Sequence, residues 1–94
     1  MSQDTTTAEV RERAAQIIEA RGWTQTPTIP PAPYAPTCLL LALQDAGPHA
    51  LFVEARKEIQ AELGLSEMGI SRWNDAPGRT QADVLAALRG GHAR

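Results

Sequence analysis

The sequence predicts an all-α fold, a compact bundle of four main helices and one short helix. Apolar residues recur at helical spacing in successive segments, and capping residues and glycines punctuate those segments. No stretch alternates apolar with polar residues as a half-buried strand would. The 94 residues fit one domain, near the lower end of sizes that fold without staples, and 43% apolar content is enough for one core. The expected organisation is a single domain over 1–94, with an N-terminal tail at 1–5 and a C-terminal tail at 90–94.

The first helix starts near Thr6, where Thr6 and Glu9 have capping-box spacing. Val10, Ala14, Ile17 and Ile18 then form one apolar stripe, and Glu9 and Arg13 are placed to pair across a turn. Gly22 is expected to end the helix as a left-handed cap, with Trp23 folding back onto it. Residues 24–36 hold five prolines in thirteen positions, which excludes helix and central strand. The segment reads as a stiff loop packed between helices 1 and 2, anchored by Trp23, Ile29 and Tyr34.

Thr37 is expected to cap a second helix to about Ala46, apolar nearly all round and therefore central. Gly47-Pro48 breaks the chain before a third helix that runs to about Leu63 and is capped by Gly64. Leu51, Phe52, Ala55, Ile59 and Leu63 point inward, while Glu54, Arg56, Lys57, Glu58 and Glu62 face water. A short helix from Ser66 to about Trp73 and a Pro77-Gly78 turn follow. Thr80 then starts the last helix, whose Val84, Leu85 and Leu88 pack inward.

Charge and cysteine content narrow the function classes. The formal net charge is −2, and the basic residues are scattered, which disfavours a nucleic-acid backbone as partner. One cysteine excludes an intramolecular disulfide and favours a reducing cytoplasm. The N-terminal segment is too charged for a signal peptide. The longest apolar run in the weakly charged region 22–53 is six residues, Cys38 to Leu43, so no membrane span is expected.

Cys38, in the first turn of a helix, is the one weak catalytic candidate, because a helix N-terminus lowers a thiol pKa. Its nearest base in sequence, His49, lies eleven residues on, roughly 15 Å along a helix axis. His92 sits in a glycine-rich tail. A small residue starting a core helix is the plainer reading of Cys38. One cysteine and two distant histidines lack zinc-ligand spacing, and no metal or cofactor is expected.

Residues 60–74 resemble the helix-turn-helix pattern, with Leu63, Gly64, Leu65, Ser66, Ile70 and Trp73 at the positions that lock two helices. That reading places Glu67, Ser71 and Arg72 near bases. Gln60 where a small residue is usual, Gly69 inside the second helix and the stop at Pro77-Gly78 count against it. The most distinctive stretch is Trp73-Asn74-Asp75-Ala76-Pro77-Gly78-Arg79-Thr80. Structurally, Asn74 or Asp75 would form an Asx-turn, Arg79 would answer Asp75, and Trp73 would plug the core. Functionally, Arg72, Trp73, Asn74, Asp75 and Arg79 form a candidate partner-binding surface.

That motif, with Arg21-Gly22-Trp23-Thr24-Gln25, Thr37-Cys38-Leu39-Leu40-Leu41-Ala42-Leu43 and Asp83-Val84-Leu85, resembles a small family of unknown function from actinobacteria and their phages. The chain departs from it at Leu41, where members usually carry glycine. The resemblance implies a cytoplasmic accessory protein, phage-encoded or bacterial, acting on a host protein. The leading expectation is a non-enzymatic protein–protein interaction module. The alternatives are a DNA-binding regulator using residues 60–74 and a cysteine-dependent enzyme centred on Cys38.

Overall fold

A computed structural model of the chain describes residues 5–27, 34–66 and 69–90. Among them are five helices: α1 (Thr7–Arg21), α2 (Leu39–Asp45), α3 (His49–Leu63), α4 (Gly69–Asp75) and α5 (Gln81–Leu88). The fold is all-α, as the periodicity predicts.

Helix α1 opens with the expected capping box: the Glu9 N–H donates to Thr6 Oγ1 at 3.2 Å and the Thr6 N–H to Glu9 Oε1 at 2.9 Å. Glu9 is therefore engaged at the cap and does not pair with Arg13, whose guanidinium reaches the Ala46 carbonyl at 3.5 Å. Gly22 closes the helix at φ 93 and ψ 157, a positive φ but an extended ψ in place of the expected left-handed helical cap. That conformation, open to glycine alone, turns the chain straight into an isolated parallel bridge between Trp23 and Thr37. The Thr37 N–H donates to the Gly22 carbonyl at 3.0 Å, and the Thr24 N–H to the Thr37 carbonyl at 2.9 Å.

The bridge fastens the base of the proline-rich loop, helped by Arg21 Nε–H donating to the Ala35 carbonyl at 2.9 Å. Residues 28–33, including the predicted anchor Ile29, lie outside the described residues. Tyr34 is not an anchor: it is 91% exposed. The bridge turns Trp23 inward, and Tyr34 falls on the turn beyond it.

Thr37 is not the cap of α2. Its backbone is used in the bridge, its side chain is buried, and the N-cap falls one residue later, on Cys38. Helix α3 follows Pro48 and ends at Gly64 in the left-handed region. Helix α4 is displaced from the expected Ser66–Trp73; residues 67 and 68 precede it outside the described residues. The Arg79 N–H closes a turn onto the Ala76 carbonyl at 3.1 Å with Gly78 at φ 82, the positive value a type II turn demands at that position. Thr80 and Asp83 then cap α5 reciprocally.

Helices α1 and α2 occupy the middle. Helix α1 packs on α2, α3 and α5, while α2 also packs on α3 and α4. Val10, Ile18, Leu39, Leu43, Ile59, Val84 and Leu88 are fully enclosed. Burial of each such side chain stabilises by about 1.5–3 kcal/mol before chain entropy is set against it.

Glu58 and Glu62 are partly exposed, as expected of that face, and also clasp Arg11, which is buried in the α1–α3–α5 interface. Arg11 also donates from Nε to the Leu88 carbonyl at 2.8 Å and from Nη2 to the Ala87 carbonyl at 2.9 Å. It thus takes up the Leu88 carbonyl at the end of α5 and shares that of Ala87 with the Gly90 N–H. Its hydrogen bond to Glu62, outweighing desolvation, raises its pKa further.

Candidate functional site

The Trp73-Asn74-Asp75 stretch is built around a buried amide. Asn74 is 2% exposed, and its Oδ1 accepts from Trp23 Nε1–H at 2.8 Å and from the Leu39 N–H at 3.1 Å. The second bond satisfies the first orphan donor of α2, which Cys38 leaves without a side-chain cap. Asn74 Nδ2–H donates to Asp75 Oδ1 at 2.9 Å. The Gln25 amide closes the assembly, donating to the Asn74 and Ala76 carbonyls at 3.1 and 3.0 Å. Asn74 therefore joins α4 to α2 and to the chain leaving α1, in place of the predicted local Asx-turn.

Arg79 answers Trp73, not Asp75. Its guanidinium carbon lies 3.8 Å from the Trp73 ring centroid, and its Nε–H donates to the Trp73 carbonyl at 2.7 Å. Of the five predicted partner-binding residues, Arg72 and Asp75 are exposed, Trp73 and Arg79 are half-buried, and Asn74 is enclosed.

Helix α4 packs principally on α2, and α3 and α4 touch only sparsely. A helix-turn-helix would close residues 49–63 against 69–75. This chain leaves a cleft of about 400 Å³ between them, lined by Leu40, His49, Phe52, Val53, Arg56, Ile70 and Ser71. His49, Phe52, Val53 and Arg56 stand at i, i+3, i+4 and i+7, a second stripe on α3 beside the one that faces the core. Phe52 belongs to both stripes, and the His49 and Phe52 ring centroids are 5.8 Å apart. Leu40 supplies the floor from α2, and Ile70 and Ser71 form the α4 wall.

Leu40, Phe52, Val53 and Ile70 make up the apolar part of the walls, and no carboxylate lines them among the described residues. Arg56 is half-buried there and has no hydrogen-bond or ion-pair partner among the described residues. The other buried or half-buried arginines are engaged: Arg11 with Glu58 and Glu62, Arg21 with Asp45, Arg79 with Trp73. Sequence reasoning assigned Arg56 to the solvated face and left Val53 unplaced. The i, i+3, i+4, i+7 spacing was the available signal.

A smaller cavity of about 160 Å³ adjoins the cleft, sharing Leu40 and Ser71 with it, and is lined also by Gln25, Pro27, Cys38, Asn74 and Asp75. Cys38 is a half-buried free thiol in this second chamber, whereas His49 lines the first. No lining residue is shared that could act as a base between them. Among the described residues, no group of three or more His, Cys, Asp or Glu side chains could hold a metal ion. No helix among the described residues is long and apolar enough to cross a membrane.

Neither the curated proteins nor the solved structures contain a match to this chain. Its sequence does match one family over nearly its whole length, residues 2–94, and the chain belongs to that family, the family of unknown function DUF6197.

Proposed function

We propose that the chain is a non-enzymatic protein-interaction module whose partner docks in the cleft between α3 and α4. The observation that carries this reading is the cleft itself, a partly open, largely apolar chamber whose Arg56 guanidinium has no partner among the described residues. Protein recognition is dominated by large side chains entering such pockets beside a few charged contacts. The Trp73-Asn74-Arg79 cluster acts as the clamp that fixes the α4 wall, and Arg72 and Asp75 remain as rim contacts. The partner is a host protein and the setting an actinobacterial cytoplasm, with the chain either bacterial or phage-borne; the family resemblance and the lone free thiol support that setting.

The test is an affinity pull-down of tagged protein from actinobacterial lysate, with and without nuclease, comparing the native chain with Val53→Glu and Arg72→Ala. Circular dichroism checks that each variant is folded. A discrete protein recovered with or without nuclease, and lost with Val53→Glu, is expected. Recovery that depends on nucleic acid and on Arg72 would replace this reading with the helix-turn-helix one.

A further inference from the structure

Resting on the cleft as the docking site, we infer that its occupant is an acidic peptide segment. A large apolar side chain of that segment packs against Leu40 and Val53, and a neighbouring carboxylate pairs with Arg56.

Three observations converge on that chemistry. The chamber between α3 and α4 is walled by Leu40, Phe52, Val53 and Ile70, and its volume of about 400 Å³ accommodates a leucine or phenylalanine side chain with flanking backbone. Arg56 enters this wall half-buried and lacks an acidic partner among the described residues, although the protein is net negative and its other buried or half-buried arginines are engaged. A half-buried guanidinium has surrendered part of its hydration, so a carboxylate that reaches it gains more than it would at an open surface. Like-charged segments are discouraged at the same point.

Two adjoining chambers favour an extended peptide over a compact small molecule. The second chamber shares Leu40 and Ser71 with the first, so the two lie side by side along α4 from Ile70 to Asp75. An extended segment can place its apolar side chain in the larger chamber and run its backbone over Ser71 into the smaller. Asp75 at the far end opposes a second carboxylate there, which orients the segment with its acidic residue towards Arg56.

The test uses the ¹⁵N-labelled full chain and three capped peptides, acetyl-Gly-Glu-Leu-Phe-Gly-amide and its versions with glutamine or lysine in place of the glutamate, followed by amide chemical shifts. The glutamate peptide is expected to shift Leu40, Val53, Arg56 and Ile70 and to bind about fivefold more tightly than the glutamine peptide, with lysine weakest. Arg56→Gln is expected to erase the glutamate–glutamine difference while the glutamine peptide still binds. Raising the salt concentration should narrow the difference. Equal affinities for the three peptides would overturn the acidic assignment while leaving the cleft as a docking site. Shifts confined to other surfaces, or no binding by any peptide, would overturn the inference altogether. Tighter binding by 4-phenylbutyrate than by the glutamate peptide would assign the groove to a small carboxylate and also overturn it.

Discussion

Replacing Asn74 with alanine should be among the more damaging single changes in this chain, although residue 74 lies on a helix of only seven residues. The substitution strands two donors at once, the Leu39 N–H at the head of α2 and the Trp23 indole N–H. A buried donor left unsatisfied costs about 1–3 kcal/mol. The Leu39 amide is fully enclosed and belongs in the middle of that range, whereas Trp23 is half-buried and belongs at its lower end. Adding the small void left by the amide gives a loss of about 3–4 kcal/mol, or roughly 15–25 °C in Tm for a domain of this size. Urea unfolding followed by far-ultraviolet circular dichroism measures it. A double-mutant cycle with Trp23→Phe isolates the indole bond, and a coupling of about 1 kcal/mol is expected because phenylalanine has no donor to strand. A loss below about 1 kcal/mol for Asn74→Ala would refute the view that this amide joins α2 to α4.

Other perturbations test other parts of the construction. Arg11→Met should cost about 2–4 kcal/mol in urea unfolding, the lower end being favoured because Glu58 and Glu62 are partly exposed and water can rehydrate them; Arg11→Lys should recover less than half, since an ammonium cannot reproduce the fork. Cys38→Ser should stabilise by about 0.5–1 kcal/mol, because the N-cap has no side-chain acceptor for the amides following Leu39; destabilisation in thermal melts would show that the thiol's packing outweighs the cap. The Glu12 carboxyl is held below its ordinary value of 4.5 chiefly by a hydrogen bond from Arg89. A depressed folded pKa stabilises above the unfolded value and ceases to do so as pH falls through the folded one. The stability gap between the native chain and Arg89→Gln should therefore be full above the ordinary carboxylate range, close on further acidification, and shrink with salt.

Local signals made the helices legible. The Thr6–Glu9 and Thr80–Asp83 pairs fix two helix starts through bonds made within four residues, and the structure contains both. The Gly78 turn is equally local. Partner choices across the chain were less legible. Nothing near Arg11 in sequence marks it for burial, because its carboxylates come from α3, 47 and 51 residues away. Cys38 replaces Thr37 at the cap of α2 because the bridge to Trp23 engages the Thr37 backbone, and that bridge joins residues on either side of the proline-rich loop. The cleft was half legible. Its α3 wall repeats at helical spacing, but its vacancy depends on α4 docking against α2, which Asn74 decides through contacts 35 and 51 residues away.

That docking explains why one residue stretch looked like a recognition surface and the neighbouring one became the candidate site. Helix α4 has little apolar surface with which to hold itself in place: Ile70 is its one large fully buried aliphatic side chain, and Trp73 is half-exposed beneath Arg79. Hydrophobic contact alone sets no register, since apolar burial is non-directional. The directional bonds of Asn74 supply it, fixing α4 against the start of α2. Once α4 is tied there, it cannot also close on α3, and the stripe His49-Phe52-Val53-Arg56 is left facing an open chamber. The tryptophan, asparagine and arginine that would make a plausible hot spot are therefore occupied in holding a wall. The apolar side chains of the proposed docking cleft, and the Arg56 guanidinium that has no partner among the described residues, stand across the gap, on α3.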